Sequence, residues 1–566
     1  MKTSGAKIIA DKILSEGLKQ VFVYPGGTIA PTLDALMKRG VKFFCSRHEQ
    51  GAGYAALAIG RLTQKPQVSM VTSGPGVTNI ITVIADAFFD STPLIVITGQ
   101  IASASLKGSR LVRQRGFQEV DTVSLMKPIT KAVFLVRETA ELPKVLNQAF
   151  SLATEGRPGP VVIDLPMDVQ RNKIDHISSF KESNPKRLTP INNKDIDKIA
   201  SLIARSKKPL ILAGQGVILS NATSELRNLI NIYKIPVVTS LLGIGAVPTQ
   251  SSLSLGYIGH TGMLLANKTV HDCDLLLVIG SRLDIRQTGT ETSNFVPNGK
   301  IARIDIDKNE LDNCPIDCDI KILSDAKNAL KALLNKLRKI NVPIKNEWLA
   351  HLQQWKNDYP LIYEKSHRFL KPQSVIEEVN RQTKGKDVIV TTGVGSHQQW
   401  TARHFDFDFP KRTFLTSGGH GAMGYDLPSA MGAQLLYPNK KVICFVGDGS
   451  IQMNIQELMT IILYKLPVKI FVIDNRRLAM VSQFQKIVWK SDPTTGNKIN
   501  PDFADIARSY GLKGLKVQKP SELKGIVSRA LNEKGPVLVH CIVDSKEDVV
   551  PMLLAGQTMN KMWPFN

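Results

Sequence analysis

Twelve times along the chain a short, largely apolar stretch stops on glycine, serine, asparagine, aspartate or proline. The stretches are QVFVYPGG, QVSMVTSGPG, LIVITGQ and PVVIDLP, then PLILAGQG, IPVVTSL, LLLVIGSRLD and KIARIDID, then DVIVTTGVGS, KVICFVGDGS, KIFVIDN and PVLVHCIVD. Each reads as a buried strand entering a loop, and the intervening segments read as helices, such as EQGAGYAALAIGRL with small residues on one face. Strands separated by helices pair in parallel and need helices on both faces. The expected fold is therefore α/β, with three doubly wound parallel-sheet domains over 1–175, 191–340 and 371–545 and a tail over 546–566. The polar segment 171–190, ending in prolines, suits a linker. The stretch 341–370, richer in Trp, Tyr and Lys, reads as a helical connector. Ligands should sit at the carboxyl ends of the strands.

The chain's 566 residues exceed one ordinary core, which fits several domains. With 43% hydrophobic and 21% charged residues it is neither disordered nor collagen-like. No apolar run approaches the roughly 20 residues a membrane-spanning helix needs. The start, MKTSGAKIIADKIL, reads as an amphipathic helix and not a signal peptide, so the cytoplasm is expected and a membrane is not. The charge balance, 72 − 49 = +23, invites a nucleic-acid reading. Its clusters, RLVRQRG at 110–116 and KALLNKLRK at 331–339, have no interleaved aromatics, so no nucleic acid is expected and anionic substrates are favoured. Of the six cysteines only Cys314 and Cys318 lie close, which completes no zinc set and suits reduced thiols.

The most specific motif is GDGSIQMN at 447–454, followed by a second strand ending at Asn475. A strand that breaks at Gly447, Asp448 and Gly449 and enters a helix at Ser450 lets the backbone approach a diphosphate. Asp448 and Asn475, 27 residues apart at two strand ends, offer oxygens to an octahedral Mg2+ that also takes phosphate oxygens. Taken alone, Gly-Asp-Gly is also an ordinary turn.

GDG followed by this Asn resembles the signature of the thiamine diphosphate (ThDP) enzymes. SRHEQGAGYAA, VTSGPGVTN, DSTPLIVITGQ, TSGGHGAMGYDLPSAMGA and MVSQFQ are similar, in that order, to the acetohydroxyacid (acetolactate) synthase branch. The resemblance implies that Glu49 bonds the aminopyrimidine of ThDP, with Gln100 and Arg286 as further catalytic residues, Arg286 holding the acceptor's carboxylate. Read without it, Glu49 could equally form a salt bridge with Arg47 or be a helix N-terminal acid. The family pattern also places Val394, Gly395, Ser396 and His397, then Gly421 and Met423, and Met480, around the cofactor, with Ser396 replacing a usual Gln. Arg477 falls where a backbone carbonyl completes the metal set of Asp448 and Asn475. For a second cofactor, FAD, the matching positions are Arg157, Gly214, Gln215, Gly216, Thr239, Ser240, Leu241, Gly280, Ser281, Arg282, Asp305 and Asp307. A scaffold that holds no flavin is the alternative, and the lack of a GxGxxG fingerprint in the central block argues against a nicotinamide enzyme. Family geometry implies a homo-oligomer whose sites join Glu49 of one subunit with Asp448 of another.

The implied activity is decarboxylation of pyruvate and transfer of the two-carbon acetyl unit to a second carbonyl compound. Departures cluster near the expected pocket: Phe484 for Trp, His420 for an apolar residue, Asp426 for Gly, and a basic 107–121 segment containing Arg113 and Arg115. These resemble carboligases of branched-sugar biosynthesis, whose acceptor is a nucleotide-linked keto-sugar, or the arginines simply solvate a surface loop. A non-ligating 2-oxoacid decarboxylase, a flavin-coupled oxidase and a C–C hydrolase are alternatives within the superfamily. The tail VVPMLLAGQTMNKMW resembles a segment that closes over the site, or else forms a surface strap.

Overall fold

The computed structural model describes residues 2–175, 180, 191–491 and 499–565. Among these, eighteen strands build three six-stranded sheets in which every neighbouring pair is parallel. The first contains β1 Gln20–Val23, β2 Lys42–Cys45, β3 Gln67–Val71, β4 Leu94–Gln100, β5 Ala132–Leu135 and β6 Pro160–Pro166, in the order 2-1-3-4-6-5. The second contains β7 Pro209–Ala213, β8 Val237–Thr239, β9 Ser254–Tyr257, β10 Leu275–Ile279, β11 Lys300–Asp305 and β12 Ile320–Leu323, in the order 9-8-7-10-11-12. The third contains β13 Val388–Thr392, β14 Arg412–Thr416, β15 Lys441–Gly447, β16 Lys469–Asp474, β17 Lys513–Val517 and β18 Val537–Ile542, in the order 14-13-15-16-18-17. The first and third sheets thus share one topology. In each sheet the order reverses at one crevice: β1/β3, β7/β10 and β13/β15. That is where open α/β sheets bind ligands.

The twelve stretches read from the sequence are the four inner strands of each sheet. The six strands not anticipated (β2, β5, β9, β12, β14 and β17) are the six sheet edges. Edge strands are paired on one side only, and exposed lysines break the apolar run in Lys42–Cys45 and Ile320–Leu323, whereas Ala132–Leu135 is apolar throughout but only half-buried. The linker expected over 171–190 falls mostly on 176–179 and 181–190, outside the described residues. Its first residues are structured instead: Lys173–Asp175 is a short strand paired antiparallel with Lys2–Ser4. Within 341–370 a helix forms at Asn346–Asp358, and its Trp348 and Leu352 are buried against the second sheet's helices. The tail is anchored: Val549, Met552, Leu553, Met559 and Met562 are buried, and Arg403 donates to the carbonyls of Val550 and Pro551.

Five helices position the site: α1 Glu49–Thr63, α2 Pro75–Phe89, α3 Ser396–His404, α4 Asp426–Leu436 and α5 Ala479–Trp489. The first and third domains meet where α1 crosses α4. Small residues make the approach possible, since a Cβ on Gly432 would lie 2.2 Å from the carbonyl oxygen of Ala55. At the start of α1, Gly51 leaves room for Glu457, whose carboxylate accepts the Arg47 N–H at 3.1 Å and the Thr460 hydroxyl at 2.6 Å.

Because the neighbour of Gly432 is backbone and cannot turn aside, Gly432→Ala should destabilise the protein by about 1–3 kcal/mol. A urea or thermal unfolding midpoint indistinguishable from that of the parent protein would contradict this packing.

Candidate active site

The β13/β15 crevice gathers most of the residues expected to hold the diphosphate. The chain leaves β13 through Gly393, Val394 and Gly395 and starts α3 at Ser396, while β15 ends at Gly447 and a short helix begins at Asp448. The two turns approach within side-chain contact: a Cβ on Gly447 would lie 2.9 Å from His397 Nδ1, and one on Gly395 3.0 Å from the same atom. Gly395 also has φ +149, which disfavours any side chain. The Ser396 hydroxyl is buried without a hydrogen-bond partner among the described residues, while His397 Nε2 makes no hydrogen bond but faces Asp426 Oδ2 at 3.5 Å, leaving Nδ1 on the side of the two glycine turns. An orphaned hydroxyl at a helix start fits an anionic ligand, because buried polar groups otherwise cost free energy. Met423 closes the crevice from a separate loop, its Cε 3.2 Å from where a Gly449 side chain would begin.

Asp448 is buried, and Asn500 donates 2.8 Å hydrogen bonds to both Asp448 and Asp474. Burial, with the charge of Asp474 beside it, pushes the Asp448 carboxyl up to about 7. Asp474 is held on its other side by His540 Nε2 at 2.8 Å. An inward carboxylate short of positive charge, beside the amide oxygen of Asn475, is a donor set of the hard type that suits Mg2+. Arg477 gives its backbone N–H to that oxygen at 3.3 Å and sends its guanidinium to Asp548 and the Glu547 carbonyl. Its side chain is therefore occupied with the tail, as expected for a residue that would serve through its backbone.

Glu49 is the first residue of α1 and is buried; its carboxylate accepts a 2.9 Å hydrogen bond from Asn79 on α2. Of the two plain readings of this residue, the structure realises the helix N-terminal acid. No ion pair joins it to Arg47 among the described residues. Glu49 and Asp448 share no hydrogen-bond partner among the described residues. Gln100, at the end of β4, is also committed locally: its amide donates to Val120 and Asp164, and its oxygen accepts the Ile101 N–H.

A cleft of about 750 Å³ runs from the β7/β10 crevice to the third domain. Its wall includes Arg157, Gln215, Gly216, Ser240, Leu241, Gly280, Ser281, Arg282 and Asp305, and, farther along, Arg286, Val394 and Gly421. Gly214, Thr239 and Asp307, expected at the second cofactor's site, do not line the cleft. Gly214 packs on Gly280, where a Cβ would meet a carbonyl oxygen at 2.1 Å, and Asp307 pairs with Arg157 at 3.2 Å. Met480 is half-buried and packs on the third-domain core. In the basic segment, Arg110 and Arg115 cap nearby carbonyls of their own loop, and Glu119 accepts the N–H groups of Lys107, Arg115 and Gly116. Self-capping accounts for those two arginines without an acceptor.

Several residues that organise this region carry no motif of their own. Asn500, Asp474 and His540 are scattered over 67 positions and meet only through the sheet. From the end of α2, Asp90 accepts the N–H groups of Gly418 and Gly419 at 2.9 and 2.7 Å and pairs with Arg61 at 3.3 Å. One turn earlier, Asp86 accepts the hydroxyl of Ser417 at 3.0 Å, and that hydroxyl accepts the N–H groups of Gly421 and Ala422. The glycine loop carrying Met423 is thus set by two carboxylates of the first domain.

Comparison with known proteins agrees with this arrangement domain by domain. Models of the thiamine pyrophosphate enzymes match residues 3–125 (N-terminal TPP binding domain), 196–333 (central domain) and 393–541 (C-terminal TPP binding domain). The acetolactate synthase isozyme 3 large subunit of Escherichia coli (strain K12) is 38% identical, over 99% of this chain and 98% of that protein. The probable acetolactate synthase large subunit of Methanocaldococcus jannaschii is 40% identical, over 98% of this chain and 94% of its own. The acetolactate synthase large subunit of Lactococcus lactis subsp. lactis is 36% identical, over 99% and 96%.

The Asp86 carboxyl is a measurable element of the loop's support. Burial, with the Asp90 charge beside it, pushes it up to about 8. Unfolded, it would ionise near pH 4, so between about 4 and 8 the native state holds the extra proton. Stability should therefore fall as pH rises through that window and level off above it. Asp86→Asn keeps an acceptor for Ser417 and is neutral at every pH, so its urea midpoint should lack that slope. Parallel pH profiles for the two proteins would refute the assignment.

Proposed function

Since this chain belongs to the thiamine pyrophosphate enzymes, in the branch of the acetolactate synthase large subunits, we infer that it decarboxylates pyruvate and transfers the two-carbon acetyl unit to a second carbonyl compound. The observation that carries this reading is the β13/β15 cradle, where glycine turns, the orphaned Ser396 hydroxyl and the Asp448–Asn475 oxygens converge. Bound thiamine diphosphate supplies the nucleophilic carbon and the electron sink that decarboxylation of a 2-oxoacid requires.

The chain's own residues divide the remaining work. Ser396 and His397 offer side-chain polar atoms to the diphosphate, and Asp448, Asn475 and the Arg477 carbonyl are the oxygens for Mg2+. Glu49, buried and held by Asn79, would accept a hydrogen bond from a protonated ring nitrogen of the cofactor and so bias which cofactor nitrogen acts as base. The Arg286 guanidinium is exposed on the cleft wall with no hydrogen-bond partner among the described residues, which suits an acceptor's carboxylate. FAD is the assignment for the long cleft, whose volume falls in the usual range for cofactor sites. Net carboligation changes no oxidation state, so its role there is structural.

One observation supports a homo-oligomer: Leu478, Val481, Phe484, Val488 and Trp489 are exposed along α5 and its entry, an apolar stripe that suits burial by a second copy. No helix among the described residues is long and apolar enough to cross a membrane. Six free thiols suit the reducing cytoplasm. Nothing observed favours the keto-sugar acceptor, the non-ligating decarboxylase or the oxidase.

Incubation of the purified protein with pyruvate, ThDP and Mg2+ should yield acetolactate, read by mass spectrometry. Acetaldehyde as the sole product would overturn carboligation. Glu49→Gln should lower turnover by about 100-fold or more at saturating ThDP, and unchanged turnover would remove Glu49 from cofactor activation. The purified protein should also show flavin absorbance, and a colourless preparation that takes up no FAD would leave the cleft without its assigned occupant.

A further inference from the structure

Asp426 is a fully buried carboxylate at the start of α4, directly beneath the cradle. Its Oδ2 accepts the N–H of Gly393 at 2.9 Å and the hydroxyl of Ser450 at 2.7 Å, and its Oδ1 accepts the N–H of Leu427. Ser450 in turn accepts the N–H of Gly424 at 2.8 Å, so the same carboxylate reaches the loop that carries Met423. On a further side the His397 ring faces it, Nε2 at 3.5 Å from Oδ2. One side chain thereby joins the end of β13, the helix after β15, the glycine loop and the imidazole of α3.

The fit at Gly393 is reciprocal. A Cβ there would lie 2.3 Å from Asp426 Oδ2 and 2.8 Å from Ser450 Oγ. The carboxylate fills the space that any side chain at 393 would need, and in return takes up an N–H that would otherwise be buried without an acceptor. A negative charge under an anionic ligand works against binding by itself. Its presence therefore calls for a return in geometry, and the donors it organises supply one.

We propose that Asp426 is a positioning residue for the diphosphate cradle, fixing the Gly393 turn against Ser450 and holding His397 toward the ligand. It touches neither substrate nor cofactor and acts through Gly393, Ser450 and His397. This rests on the reading of the crevice as the ThDP site and adds a residue whose carboxylate replaces the glycine of the related pattern.

The test is equilibrium binding of ThDP with Mg2+ to the purified full-length protein by titration calorimetry, which needs no turnover. Asp426→Gly should weaken ThDP roughly tenfold to a hundredfold, the range for loss of hydrogen bonds to a charged group. Asp426→Asn retains an oxygen for Gly393 and Ser450, and it should bind within a few-fold of the parent protein. Gly393→Ala should bind ThDP poorly alone yet cost less in the Asp426→Gly background, since the nearer obstruction is then gone and only the Ser450 hydroxyl, 2.8 Å from that Cβ, remains. Cofactor-free melting temperatures would separate misfolding from a lost cradle, with Ser450→Ala as a milder variant expected to weaken ThDP in the same direction. Parent and Asp426→Gly proteins with equal affinity, or additive costs for the two substitutions, would overturn the proposal and leave the function standing. A parent protein that binds no ThDP would overturn both.

Discussion

The backbone carbonyl and the carboxylate of Asp90 sit where all three domains meet, and the placement of both clefts depends on them. Its carboxylate takes two N–H groups of the third domain's glycine loop and Arg61 of its own domain. Its carbonyl accepts the Gln215 amide at 3.0 Å from the start of the central crevice. The next residue, Ser91, accepts Arg157 at 2.8 Å, and Arg157 goes on to Asp307 and Glu310. A charge-assisted bond to two backbone N–H groups is both strong and directional, so it fixes a loop and does not merely attract it. The 750 Å³ cleft passes this junction and ends against the same loop.

Parallel sheets explain why the chemistry is gathered so consistently. All strands of one sheet point the same way, so all their carboxyl ends and following turns lie on one edge. Helix starts are gathered there too, and their free N–H groups favour anions. The reversal of strand order opens a crevice at one place on that edge. In the third domain this puts Gly393–His397 beside Gly447–Ser450, and in the second it puts Gly214 beside Gly280. The first domain shares the topology of the third, and on the corresponding edge it presents Glu49 from a helix start.

The legibility of the sequence followed burial. Inner strands such as KVICFVG are enclosed on both faces and both edges, which demands an unbroken apolar run that can be read directly. Edge strands such as Ile320–Leu323 alternate exposed and buried positions over four residues, too short a signal to separate from a loop. Asp448 and Asn475 were legible because both stand at strand ends in a recognisable order. Asn500, which donates to Asp448, lies 52 residues from it in the chain and has no local context to mark it. Asp426 was visible only as a departure from a pattern, and its purpose emerged once Gly393 and Ser450 were beside it.

By itself the sequence determined three parallel-sheet domains, the glycine-rich turns and the acidic and amide residues at their strand ends. Those properties are local: apolar continuity, a break at small residues and a fixed spacing suffice. Only the tertiary structure decided which polar atoms became partners and which stayed open. Asp86 meets Ser417 from 331 residues away, and Arg61 meets Thr416 from 355. Such pairs form because folding excludes water, and a buried donor must then find whatever acceptor the packing brings near it. Ser396 is the complement, a buried hydroxyl at the β13/β15 crevice that the packing left without a hydrogen-bond partner among the described residues.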